Sequence, residues 1–276
     1  MTTLLQIVKR LQELAPRDMT IQGLESRVEI GPQSETDQTN TTVKRVLIAT
    51  YPSARVVTKA SQDKSNLLVT YRPLFPFVID RLSGLDLVRV RLLAKNYIST
   101  YVIGSGWLCA RDGLNDALLD TLGLEKISDF STESDYGQLA TIGRVCKPPG
   151  VKNHSGFANY IASKLNLSTV MFSGDFDDDV GDVLVIAGNH VDMPDIINAR
   201  QQDIKTLVTG ELAPELRLLA KEEGLNTLEL GAFVSEDPGM KRLRDSISLE
   251  FPELKVDFIA ANPLVHGLKP YKDEMA

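Results

Sequence analysis

Two stretches far apart in the chain carry nearly the same pattern. Ala60-Ser-Gln-Asp-Lys-Ser-Asn-Leu-Leu-Val-Thr70 resembles Ala199-Arg-Gln-Gln-Asp-Ile-Lys-Thr-Leu-Val-Thr209. Upstream, Val46-Leu-Ile-Ala49 resembles Leu184-Val-Ile-Ala187 at nearly the same offset. Each copy reads as a strand, a helix and a second strand ending in Val-Thr. Generic β-α-β units share such patterning, so spacing alone leaves two readings open: a duplicated half, or two unrelated units of one kind. On the first reading the loops after Thr70 and Thr209 are equivalent. Both follow strand carboxyl ends, where open α/β sheets place their sites.

The rest of the chain extends the alternation. Apolar runs predict strands at 43–49, 67–70, 99–103, 169–173, 183–187, 206–209, 226–230 and 255–260. Helical spacing predicts helices at 54–63, 87–95, 114–122 and 156–165, and an amphipathic N-terminal helix whose apolar residues run from Leu4 to Leu14. Residues 126–153 are rich in Ser, Gly and Pro and read as a connecting region. The expected fold class is α/β with largely parallel pairing: a first half at 1–125, the connector, and a second half at 154–276.

Composition narrows the function classes. The hydrophobic fraction of 43% supports a sizeable core. Lys plus Arg number 30 against 37 Asp plus Glu, a net charge of -7 that disfavours nucleic-acid and anionic-membrane partners. Two cysteines, Cys109 and Cys146, exclude a disulfide scaffold and a four-cysteine zinc site; the three histidines, His154, His190 and His266, leave little for a histidine-rich metal centre. No signal peptide or spanning segment is visible, so a soluble cytoplasmic protein is expected.

Five motifs, in order, carry a family resemblance. They are Leu68-Val-Thr-Tyr-Arg-Pro-Leu-Phe75, the run from Ile98 to Asp116 ending Gly113-Leu-Asn-Asp116, Ile142-Gly-Arg144, Thr209-Gly-Glu211, and Gly231-Ala-Phe-Val-Ser-Glu236. Together they resemble the NIF-three-like family, also labelled GTP cyclohydrolase I type 2 homologues or dinuclear-metal-centre hexameric proteins. The resemblance implies two related α/β halves assembled as a homohexameric ring, with two metal ions per chain held by histidines and carboxylates of these motifs.

The departures bear directly on that chemistry. The implied metal-ligand positions fall on Tyr71, Arg72, Leu108, Ala232 and Glu236, with Thr209, Glu211 and Asp112 as pocket neighbours. Only Glu236 retains a normal ligand. Arginine cannot be deprotonated, and leucine and alanine have no donor atoms. A transition-metal site needs about three or more converging N, O or S donors. His190, with Asp112 and Asp116 near the lost aspartate, is the best candidate for a rebuilt site. His154 is expected to cap or decorate a helix, His266 to sit on a surface turn, and Asp175-Phe-Asp-Asp-Asp179 to form a solvated turn. Gly104-Ser-Gly-Trp lacks a base for its serine, Cys109 reads as a small buried hydrophobe, and Trp107 as packing.

The expected protein is therefore a binding, regulatory or scaffold member of a homo-oligomeric ring, with no catalytic residue, no resident cofactor and a small molecule or protein as unidentified partner. The alternative is a metal-dependent hydrolase of a nucleotide- or pterin-like substrate, which needs a divalent metal pair. If Arg72 occupies a ligand position it should pair with Glu236, with Tyr71 or Glu211 satisfying its remaining donors.

Overall fold

The computed structural model describes residues 1–261, so His266 lies outside the described residues. In chain order the elements are α1 (Leu4–Leu14), a 3-10 turn (Arg17–Met19), β1 (Arg27–Ile30), α2 (Glu35–Asn40), β2 (Arg45–Ala49), α3 (Ala54–Gln62), β3 (Leu67–Thr70), α4 (Gly84–Lys95) and β4 (Ser99–Val102). Then come α5 (Gly106–Cys109), α6 (Leu114–Leu122), β5 (Glu125–Glu133), β6 (Leu139–Lys147), α7 (His154–Leu165), β7 (Met171–Ser173) and β8 (Val183–Ile186). The chain continues with α8 (Met193–Gln201), β9 (Thr206–Thr209), α9 (Pro214–Glu222), β10 (Asn226–Glu229), α10 (Ala232–Glu250) and β11 (Lys255–Phe258).

Two sheets result, with orders β1-β4-β3-β2-β11 and β5-β6-β8-β9-β10-β7. Their centres are parallel, as near-continuous apolar strands joined by helices require. The echo has a structural counterpart. Ala49 pairs with Thr70 across β2 and β3, and Ile186 pairs with Thr209 across β8 and β9. The next strand in each sheet, β4 or β10, then lies parallel on the far side. Alternation along the first sheet sends Leu47, Ala49 and Leu68 toward α3 and α4, while Val46, Ile48, Leu67 and Val69 join a core continuous with β8 and β9. One hydrophobic core thus fastens both sheets together.

Two expectations are corrected here. Residues 126–153 are not merely a connector: β5 and β6 form an antiparallel hairpin on the edge of the second sheet. Strand β5 is mostly polar and buries only Phe130 outright, and Gly143 and Arg144 interrupt the buried run of β6, so neither shows a continuous apolar stretch. Strand β11, late in the second half, crosses to pair with β2 in the first sheet. The longest helix, α10, delivers the chain there, packing on α6, β2 and β11.

His154 is a third correction. It neither caps nor decorates its helix, because Asn153 accepts the cap bond from Gly156 N–H at 3.0 Å. The His154 ring is buried between Asp178 O (Nδ1, 3.0 Å) and the Thr206 hydroxyl (Nε2, 2.8 Å). Residues Asp175–Asp179 form an exposed turn between β7 and β8, as expected. Among the described residues no helix is long and apolar enough to cross a membrane.

Candidate functional site

Loops leaving the carboxyl ends of β2, β3, β8, β9 and β10 converge on one cavity of about 490 Å³. Thr50 and Tyr51 follow β2, Tyr71 and Arg72 follow β3, and Gly188, Asn189 and His190 follow β8. Glu211 follows β9, while Ala232, Phe233 and Glu236 open α10. The equivalent loops of the two halves therefore face each other, in the place an α/β sheet reserves for ligands.

The loops close tightly. Thr70 donates its hydroxyl hydrogen to Arg72 O at 2.8 Å, and Thr209 donates to Gly188 O at 3.3 Å. Gly188 has φ +78, and a Cβ there would lie 2.5 Å from Glu236 Oε1, so only glycine fits. A Cβ on Gly210 would fall 2.3 Å from Gly188 O and 2.6 Å from Ser235 Oγ. Ser235 locks the same corner by accepting from Gly188 N–H at 2.9 Å.

Glu236 and Arg72 meet as expected. Arg72 Nε–H donates to Glu236 Oε2 at 3.2 Å and Nη2–H donates to Oε1, the two-pronged arrangement that guanidinium planarity favours. The Glu236 side chain is 0% exposed and that of Arg72 only 19%. Burial pushes the Glu236 carboxyl up to about 7, with Arg72 pulling in the opposite direction. A carboxylate survives at that depth because the guanidinium sits against it.

The remaining donors do not go where expected. Arg72 Nη2 also donates to Asn189 Oδ1 at 2.8 Å, and neither Tyr71 nor Glu211 bonds to it. Tyr71 is instead fully buried, with its hydroxyl 2.7 Å from His190 Nε2. On the other side of the imidazole, Nδ1 lies 2.9 Å from Gln22 Oε1, while Gln22 Nε2–H donates to His190 O at 2.8 Å. That second bond orients the Gln22 amide, so its oxygen faces Nδ1 and His190 carries its proton there; Tyr71 then donates to Nε2. Burial, reinforced by the charge of Arg72, lowers His190 to about 3 and keeps it neutral. Burial also drives the Tyr71 hydroxyl well above its ordinary value.

The hairpin hidden in the supposed connector supports this arrangement. Asp135, in the β5–β6 turn, accepts from Gln22 N–H at 3.1 Å and Gly23 N–H at 2.8 Å. Those bonds hold Gln22 at φ 55 with its amide against His190. Gln22 has no signal in the sequence as a site residue: it belongs to no motif, and its partnership with His190 spans 168 residues. Asn189 lies in Gly188-Asn-His-Val-Asp192, the segment that singles out His190, but its bond to Arg72 is not legible there.

Other expected positions are elsewhere. Leu108 is buried in the main core on α5, and Asp112 is not on the cavity wall. Asp116 is committed to the buried Arg144, at 2.6 Å to Nε and 2.9 Å to Nη2. Trp107 is packing, with its ring N–H donating to Gly239 O at 3.3 Å. The Ser105 hydroxyl is consumed by backbone bonds to Ile21. Cys109 is buried and its thiol is raised to about 12 by burial, so it is no nucleophile.

The donor set does not fit the metal pair that the resemblance implies. Arg72 places a permanent cation at the retained carboxylate, both nitrogens of His190 are engaged by Gln22 and Tyr71, and Ala232 and Leu108 have no donors. Among the described residues, no group of three or more His, Cys, Asp or Glu side chains is arranged to hold a metal ion.

Comparison with known proteins places this geometry in a family. The chain is 26% identical over 224 residues to a GTP cyclohydrolase 1 type 2 homolog of Clostridium perfringens, covering 79% of this chain and 83% of that protein. A protein of the same name from Methanocaldococcus jannaschii is 24% identical over 256 residues, covering 92% and 98%. Among solved structures, a Bacillus cereus protein related to NIF3 superposes with a TM-score of 0.82 at 15% identity, over 96% of this chain and 99% of the other. Reduced HcgD from Methanocaldococcus jannaschii gives 0.75 at 22% identity, over 93% and 97%. At such identities the superpositions speak for the fold. The family model described as Duf34/NIF3 (NGG1p interacting factor 3) matches residues 2–263, nearly the whole chain, which therefore belongs to the Duf34/NIF3 family.

Proposed function

We propose that this chain is a ligand-binding member of its family, in which an arginine–glutamate pair has replaced dinuclear metal chemistry. The Arg72–Glu236 pair carries the reading: a fixed guanidinium occupies the one carboxylate kept at the metal-ligand positions that the resemblance implies. A cavity lined by Arg72, Asn189, His190, Glu211 and Phe233 remains beside it. The Tyr71–His190–Gln22 chain is unsuited to acid–base work. Both ring nitrogens are occupied, Tyr71 is sealed from solvent, and the imidazole stays neutral across the physiological range. Metal chemistry on a nucleotide- or pterin-like substrate would require that network to be dismantled. Zinc or manganese at micromolar concentration is expected to leave the melting temperature unchanged, as is EDTA. A metal-dependent rise, reversed by the chelator, would contradict the reading.

The protein acts, on this proposal, as a homo-oligomer, with six chains in the arrangement implied by its relatives' resemblance. An apolar stretch supports self-association. Phe77, Val78, Leu82 and Leu85 are 81%, 103%, 43% and 67% exposed, around an exposed Asp80–Arg81 pair that offers both charge signs to a second copy. Light scattering at micromolar concentration is expected to give a multiple of the chain mass. A monomer would refute the assembly.

A further inference from the structure

The cavity beside the Arg72–Glu236 pair has an unbalanced charge. Arg72 is answered by Glu236, and His190 is neutral with both nitrogens satisfied. That leaves Glu211. One of its oxygens accepts from Ala232 N–H at 3.2 Å, at the start of α10. Among the described residues no lysine, arginine or histidine forms a salt bridge with it; neighbouring Glu229, by contrast, is held by Arg217 at 2.7 Å. With Glu236 ionised, as at pH 8, the wall presents two carboxylates to the one Arg72 guanidinium, within a protein whose net charge is already -7. An anionic ligand would meet repulsion here despite the arginine.

The aromatic wall favours the same sign. Tyr51 and Phe233 lie with ring centroids 6.1 Å apart and planes tilted by 31°. The Tyr51 ring already attracts a cation, since the Arg89 guanidinium carbon is 5.9 Å from its centroid. Among the described residues Phe233 has no such partner, and it lines the cavity together with Glu211. A cation held between a carboxylate and an aromatic ring gains from both.

Glu211, Ala232 and Phe233 also form the shared wall of a second cavity of about 570 Å³. Its lining sets aliphatic side chains, among them Leu167, Val170 and Leu230, beside Ser168, Thr169 and Glu229, the last already held by Arg217. Resting on the ligand-binding reading above, we propose that the site takes a small organic cation with an apolar tail, its ammonium or guanidinium head between Glu211 and Phe233 and its tail in the adjoining cavity. Burial of the tail supplies much of the affinity, and the head selects the charge.

Three probes with one tail and different heads separate the possibilities: hexyltrimethylammonium, hexanoate and hexanol, titrated at pH 8 into isotope-labelled full-length protein and followed by NMR shifts. Hexyltrimethylammonium is expected to bind with shifts centred on Gly210, Glu211 and Phe233, and hexanoate to bind at least roughly ten-fold more weakly. Glu211→Gln keeps the oxygen that accepts the Ala232 N–H but removes the charge. Because Glu211 is exposed to solvent, the change should weaken the ammonium probe about three- to five-fold while leaving hexanol unchanged. Phe233→Leu should weaken the ammonium probe too. Equal or tighter binding of hexanoate, or indifference of the ammonium probe to Glu211→Gln, would overturn the cation assignment and leave the ligand-binding reading standing. If none of the three perturbs the cavity, both readings fail.

Discussion

Glu236→Ala is expected to lower the unfolding free energy by about 3–5 kcal/mol, the cost of leaving one partner of a buried ion pair alone. Because Arg72 keeps 19% of its side-chain surface, the lower end of that range applies. Arginine cannot shed its charge to relieve the loss. The reciprocal change behaves differently, since the stranded carboxyl in Arg72→Met can take up a proton. With the guanidinium gone, Glu236 rises further above its ordinary 4.5. The unfolded chain then releases a proton that the folded one retains, so the variant's stability falls as pH rises above about 4.5. The double variant Arg72→Met/Glu236→Leu should lose much less than the sum of the single changes, because no charge is left buried. Chemical denaturation at pH 5 and pH 8 measures all three. A loss below about 1 kcal/mol for Glu236→Ala would mean the pair behaves as a solvent-exposed one.

The pH dependence contributed by His190 is the second large effect. His190 binds its proton at about 3 when folded against 6.5 ordinarily, so between those values the unfolded chain holds a proton that the native one lacks. Its contribution is complete above pH 6.5 and is lost as pH falls toward 3. At pH 5 the loss amounts to about 2 kcal/mol relative to neutral pH. His190→Gln has no titrating group and can still hydrogen bond. Glu236, raised to about 7, gains stability over the same window and opposes His190 in the wild type. The change in unfolding free energy from pH 7 to pH 5 should therefore be about 2 kcal/mol more favourable in His190→Gln than in the wild type, whatever the sign of either. Parallel pH profiles for the two proteins would show that His190 is not held neutral.

Much of this architecture was legible in the sequence for definite physical reasons. Strands buried on both faces, such as Leu67–Thr70 and Thr206–Thr209, carry only apolar residues and threonine, and their boundaries emerge to the residue. The helix Leu114–Leu122 is equally clear because Gly123 ends it with φ 66, in the left-handed region. Half-exposed elements are harder. Strand β5 is mostly polar, β1 has only Val28 and Ile30 to mark its buried side, and α2 reads Glu-Thr-Asp-Gln-Thr-Asn with no apolar stripe. Those elements exist because the rest of the molecule gives them partners.

The site divides along the same line. Because the family resemblance puts Arg72 and Glu236 at ligand positions of one metal site, their opposite charges were enough to anticipate the pair. Their surroundings were not deducible, because Gln22 and Asp135 join the network through folds of the chain that no local pattern encodes. Leu108 shows the opposite limit: a motif can align to a ligand position while its side chain is simply core.

The proposed replacement of metal chemistry by the Arg72–Glu236 pair is tested most directly by elemental analysis of protein purified without chelators. Zinc, iron and manganese together should remain well below one equivalent per chain. About two equivalents per chain, retained through gel filtration, would mean that the pair opens to admit a dinuclear centre and would contradict the account.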